Sequence, residues 1–105
     1  MFLRSESAVP DLVRNAPGMY MILTDAPGKA SWPIAGATFI LMHKVQDKPA
    51  QGAAALKFFN WAYASGDKMA EELDYVPMPD GVKAMVHKLW ATSIKDAAGA
   101  AIAAK

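Results

Sequence analysis

The chain has 105 residues, with eleven lysines and arginines against ten aspartates and glutamates, a formal net charge of +1 and no cysteine. That length bounds it to one small domain or part of a larger one. The balanced charge, without a Lys/Arg stripe, gives nucleic acid no electrostatic handle. The missing cysteines exclude a disulfide framework and a thiolate metal site but leave the compartment open.

The N-terminal Met1-Phe2-Leu3-Arg4-Ser5-Glu6-Ser7 lacks the basic start and apolar region of an export signal. No run reaches the ~20 apolar residues that span a bilayer, so the expectation is a soluble chain. Residues 1–16 read as irregular, because Pro10 interrupts the short helix that Ala8, Leu12 and Val13 could otherwise form. Met19-Tyr20-Met21-Ile22-Leu23-Thr24 is expected as a short strand. Asp25-Ala26-Pro27-Gly28 follows as a tight turn, with Pro suited to i+1 and Gly to positive φ. The gap from Thr24 to Ile34 is longer than a hairpin usually needs. A hairpin and a crossing between lobes are both open.

Ile34-Ala35-Gly36-Ala37-Thr38-Phe39-Ile40-Leu41-Met42-His43 is apolar at almost every position, with neither a period of two nor one near 3.6. Thr38, Phe39 and Ile40 favour a pleated backbone. The run predicts a strand over 34–43 buried on both faces. Such a strand needs a neighbour on at least one edge and a layer over each face. The chain offers little sheet to receive it, which implies that the polypeptide is part of something larger.

Residues 43–48 read as the polar loop that ends this strand. Pro49 suits the first turn of a helix that runs to Gly66, a natural stop. Leu56, Phe59 and Tyr63 share one face of it, and Phe58, Trp61 and Ala62 broaden that face. The expectation is a helix buried on more than half its circumference and covering the strand. Asp67 is expected to cap a short helix over 68–73 whose apolar side is Met69, Ala70 and Leu73. Pro77 and Pro79 break it. Asp80 is expected to cap a third helix with Val82, Met85, Val86, Leu89 and Trp90 on its buried side and Lys83, His87 and Lys88 facing away. Residues 95–105, rich in alanine, are expected to fray.

Candidate chemistry is sparse. His43 and His87 share no helical spacing, and neither has a carboxylate at i+4, so both read as surface imidazoles rather than metal ligands or bases. Asp47, Asp67, Asp80, Glu71 and Glu72 fall where capping and solvation explain them, and none sits in an apolar pocket that would suit acid–base catalysis. No nucleophile elbow, phosphate loop or dinucleotide turn is present. A helix N-terminus at Lys48, Gln51 and Gly52 is the remaining weak anion candidate. The cluster Phe58-Phe59-Trp61-Tyr63, at helical spacing beside a buried strand, reads as core rather than a stacking platform. No residue is assigned a catalytic, phosphate-binding or metal-ligating role, no cofactor is implied, and the chain does not read as an enzyme.

One set of residues carries a resemblance. Trp32-Pro33-Ile34 leading into Thr38-Phe39-Ile40-Leu41 and His43-Lys44 is similar to the phosphate-specific periplasmic binding proteins, the PstS-type receptors of phosphate ABC transporters. So are Lys48-Pro49, Leu56-Lys57-Phe58-Phe59-Asn60-Trp61-Ala62-Tyr63 with Gly66, and Leu73-Asp74-Tyr75-Val76-Pro77-Met78-Pro79. Val82, Trp90 and Ile94-Lys95-Asp96 resemble the family's ending, and Ala16-Pro17-Gly18 through Pro27-Gly28 the segment before it. The resemblance covers roughly residues 16–99.

It implies an α/β fold in which this chain is a partial lobe of a type II periplasmic binding protein, with one or two strands and about three helices. Residues 1–31 would be a lead-in and crossing segment, poorly matched at 1–15, and 32–105 the C-terminal return into the first lobe, with the 34–43 strand in that lobe's sheet. The family's phosphate contacts come from segments with no counterpart here. The resemblance therefore implies a C-terminal fragment that does not bind phosphate alone, periplasmic by kinship. Inorganic phosphate and the transporter permease would be partners only in a full-length receptor. The alternative is a free-standing interaction module whose exposed strand edge pairs with a second copy or with a missing N-terminal portion.

Overall fold

The computed structural model describes residues 24, 25, 29 and 33–102. Within them the order is β1 (Val45–Gln46), α1 (Pro49–Ser65), α2 (Asp67–Glu72), α3 (Asp80–Ser93) and β2 (Lys95–Asp96). Three helices and a two-stranded parallel sheet agree with the expected α/β class. The readings over 6–14 and 19–23 lie outside the described residues, as does most of the turn at 25–28. Asp25 is in the left-handed region, with φ 52°, and its N–H donates to the Pro33 carbonyl at 2.9 Å. Among the described residues no helix is long and apolar enough to cross a membrane.

The 34–43 run departs from its expectation. It forms neither strand nor helix, and it is not buried on both faces: Leu41 is 93 % exposed, Ile40 61 % and Phe39 55 %. Topology explains this. The strands β1 and β2 are parallel, with Val45 opposite Lys95 and Gln46 opposite Asp96. What precedes Lys95 is Ile94 and the end of α3, so β2 cannot run back alongside 36–44. The apolar run has the composition of an interior strand, and the described residues hold no strand long enough to pair with it.

α1 begins and ends where Pro49 and Gly66 place it. Its buried side is Leu56, fully inaccessible, with Gly52 buried and Phe59 and Tyr63 half-buried. The expected broadening of that face fails. Phe58 is 59 % exposed and Trp61 48 %, on the side of the helix opposite Leu56, so α1 is apolar on two sides and covered on one. Among the described residues the core is Leu56, Ile94 and Ile102, with Met42, Ala53 and Trp90 packed against them. Burying one such aliphatic side chain contributes about 1.5–3 kcal/mol.

Gly66 does not stop α1 through a left-handed turn. Its backbone is right-handed helical (φ −89°, ψ −10°) and serves at once as the end of α1 and the N-cap of α2. α2 stops before the prolines, at Asp74. That residue takes φ 62°, the Tyr75 N–H donates to the Ala70 carbonyl at 2.8 Å, and the Asp74 N–H to the Glu71 carbonyl at 3.1 Å. This is a Schellman closure with Asp where glycine is usual. Met69 and Leu73, the expected apolar side of α2, are exposed.

Residues 95–102 also depart from the expectation of fraying, and 103–105 lie outside the described residues. Ile94 and Ile102 are buried, and the Ile102 N–H donates to the Ile94 carbonyl at 3.1 Å. Between them Asp96 organises a tight turn. Its Oδ1 accepts from the amides of Ala98 at 2.9 Å and Ala100 at 2.8 Å, its N–H donates to the Ala100 carbonyl, and Gly99 takes φ 83°. The turn folds Ile102 back onto Leu56. It is an Asx turn holding an apolar residue against the core.

Candidate functional site

Each polar feature singled out in the sequence has a definite place. At the start of α1, Pro49 has no N–H to offer, and the amides of Gln51 and Gly52 both donate to the Lys48 carbonyl at 3.0 and 3.1 Å. The Gln46 side chain lies over Gly52, so that a Cβ there would meet its Oε1 at 2.8 Å. The Gln51 and Gly52 amides at this end of α1 are therefore both engaged with the Lys48 carbonyl.

Asp47, Asp67 and Asp80 do not cap helices as expected. The N-cap positions are Lys48, Gly66 and Pro79, and none makes a side-chain capping bond. Asp67 and Asp80 lie inside the first turns of α2 and α3. There they face Lys83, which sequence periodicity assigned to the solvent side and which is instead 7 % exposed. Its Nζ donates to Asp67 Oδ2 at 2.5 Å and approaches Asp80 Oδ1 at 3.6 Å. A buried ammonium needs such a partner, and the bond ties α2 to α3. The pattern that could have revealed it is Asp67 sixteen residues before Lys83, a long-range pairing that helical spacing does not show.

His87 is exposed, but its ring lies against two aromatics. The His87–Trp90 centroids are 5.1 Å apart and the His87–Tyr63 centroids 5.8 Å, while Tyr63 and Trp90 stack with an 8° interplanar angle. Tyr63, half-buried, thus joins α1 to α3 through Trp90. Phe58 and Trp61, read as core with it, form a separate exposed pair with centroids 5.9 Å apart. His43 is exposed, and its carbonyl accepts from Gln46 Nε2 at 2.6 Å. Among the described residues no His, Cys, Asp or Glu cluster has the geometry to hold a metal ion.

What remains unaccounted for by the chain's own packing is apolar. Ile34, Phe39, Ile40, Leu41 and Val45 form one exposed group in sequence, and Phe58 and Trp61 lie exposed on α1. Large exposed apolar side chains of this kind are suited to burial against other protein.

No family model matches the chain. It is 44 % identical over 85 residues, 81 % of its length, to the phosphate-binding protein PstS of Pasteurella multocida. It is 45 % identical over 78 residues to the phosphate-binding protein PstS of Haemophilus influenzae, and 41 % identical over 81 residues to that of Xylella fastidiosa strain 9a5c. The aligned spans take up 25 %, 23 % and 22 % of those relatives. The chain is therefore related in sequence to the phosphate-binding proteins PstS and spans about a quarter of their length.

Proposed function

We propose that this chain is a structural segment of a phosphate-binding receptor that serves inorganic phosphate uptake through an ABC transporter in the periplasm. It is the C-terminal segment, in which residues 1–31 lead in and cross and residues 32–105 return into the first lobe. The observation that carries this reading is the 40–45 % identity to PstS proteins over about three quarters of the chain. The engaged amides at the start of α1 support a scaffold role, with the phosphate contacts lying on other segments of the receptor.

A calorimetric pair tests it. The 105-residue chain should give no stoichiometric heat with phosphate. A chimera of the Pasteurella multocida relative, in which the 85 aligned residues are replaced by those of this chain, should bind phosphate one to one. A chimera that folds but binds none would refute the reading.

The exposed run 34–43 supports a second reading, a free-standing module that pairs through its open strand edge with another copy. Concentration-dependent dimerisation in sedimentation, lost in Leu41→Lys, would favour it. A monomer at high concentration would count against it.

A further inference from the structure

Two carboxylates from different helices reach for the buried ammonium of Lys83. Asp67 Oδ2, on α2, accepts from Nζ at 2.5 Å, and Asp80 Oδ1, one turn back on α3 itself, lies at 3.6 Å. The second distance is under ~1 Å beyond the ~2.7–2.9 Å of a charge-assisted bond. The Asp67 side chain is half exposed and that of Asp80 wholly exposed. One cation thus has a bonded partner across the helix junction and a waiting partner on its own helix, at the solvent side.

α2 is weakly anchored otherwise. None of its six residues is buried, Met69 and Leu73 stand exposed, and among the described residues it contributes nothing to the Leu56 cluster. Its two ends are element-terminal residues of the kind that serve as hinges. Gly66 is shared by α1 and α2, and Asp74 leaves α2 in the left-handed region. A short helix with few buried apolar contacts opens locally more readily than the core does. What ordinarily forbids such opening is the charge it would strand, since an unpaired buried ammonium is costly. Asp80 removes that obstacle.

We propose that residues 66–74 form a conformational latch, in which α2 swings out on Gly66 and Asp74 as Lys83 passes from Asp67 to Asp80. The latch stands apart from the receptor reading, and its test needs no phosphate. Closed, Lys83 is buried and ties α2 to α3. Open, its ammonium reaches water paired with an exposed carboxylate, while Leu56, Ile94 and Ile102 stay packed. The two acids therefore act with opposite sign. Asp67 holds the closed position alone, and Asp80 favours the open one, because only there does it bond.

Hydrogen exchange at residue resolution and competitive lysine acetylation with acetic anhydride, read by mass spectrometry, test the latch in the full 105-residue chain. The Lys83 amine should react more slowly than those of Lys57 and Lys88, which are exposed. Asp67→Asn should raise Lys83 reactivity by about tenfold or more, the worth of a bond to a charged group. It should speed exchange of the Ala70 and Tyr75 amides, which bond to the Gly66 and Ala70 carbonyls, by the same factor and leave the α1 amides unchanged. Asp80→Asn should slow both readouts by about two- to fivefold, the worth of an exposed pair. Lys83→Met, which fills the site without charge, should free the Ala70 and Tyr75 amides as Asp67→Asn does.

Loss of α1 protection together with that of α2 would overturn the latch, because the pair would then hold the whole fold. Asp80→Asn acting in the same direction as Asp67→Asn would overturn it too, as would a wild-type Lys83 that reacts as fast as Lys57. Should Asp67→Asn not fold, Lys83→Met carries the test, and α2 amides that keep their protection there overturn the proposal. Failure of both variants to fold counts as loss of the whole fold and overturns it as well.

Discussion

Replacing Leu56 by alanine is the sharpest probe of the core. Leu56 is fully inaccessible and meets Ile94 and Ile102, with Met42, Ala53 and Trp90 at the margin. Leu→Ala at a buried site costs about 2–5 kcal/mol, the upper end applying where the cavity cannot collapse. Here one wall is Ile102, held by the Asp96 turn, so partial collapse is available and about 2–3 kcal/mol is expected. Against the ~5–15 kcal/mol of an ordinary domain, that is a large part of the whole. The assay is urea unfolding followed by far-UV circular dichroism, with the midpoint shifting at constant m. Leu41→Ala is the control: its side chain is almost wholly exposed and should change stability by no more than about 0.5 kcal/mol. A Leu56→Ala effect as small as the control, or a control as costly as Leu56→Ala, would refute the assignment of buried and open faces.

Three further outcomes follow from local geometry. Gly66 is right-handed helical, where alanine would ordinarily stabilise by ~0.4–1 kcal/mol. A Cβ there would lie 2.5 Å from the Ala62 carbonyl oxygen, so Gly66→Ala should lower the thermal midpoint, and a rise would contradict that contact. Asp74, at φ 62°, bears a left-handed penalty that glycine does not. Asp74→Gly should therefore stabilise by up to about 1 kcal/mol in urea melts, while Asp74→Val should destabilise. Asp96→Ala removes both side-chain bonds to the Ala98 and Ala100 amides, costing about 1 kcal/mol. Faster exchange of the Ile102 amide is the readout, with α1 amides as the unaffected reference.

The helices were legible because their signals are local. Pro49 and Gly66 bracket α1, and Val82, Met85, Val86 and Trp90 set the inner side of α3 at a helical period, whereas Leu89, expected with them, stands exposed at its margin. Local patterning misplaced Lys83, since the charge that takes it inward is Asp67 on a different helix. It also missed the C-terminal turn. There the signal was present in Asp96, Gly99 and a lone Ile102 among alanines, but alanine content suggested fraying, and Ile102 has a place to pack only once Leu56 is there to receive it. The two-residue strands carry no pattern of their own, and their pairing is set by where α3 ends. The run at 34–43 was read correctly for composition and wrongly for burial, because burial of a strand depends on neighbours that the described residues do not supply. For the candidate site, the sequence was informative about the polar residues that lack converging partners. It placed Phe58 and Trp61 in the core, whereas they stand open on the far side of α1.

The most direct measurement of the central claim, that this segment supports a phosphate site without contacting the ligand, is the phosphate affinity of the chimera before and after joint replacement of Lys48, Gln51, His43 and His87 by alanine. The account predicts affinities within about threefold, less than the 1.4 kcal/mol that a tenfold change represents. A loss of tenfold or more, with the fold retained, would contradict it.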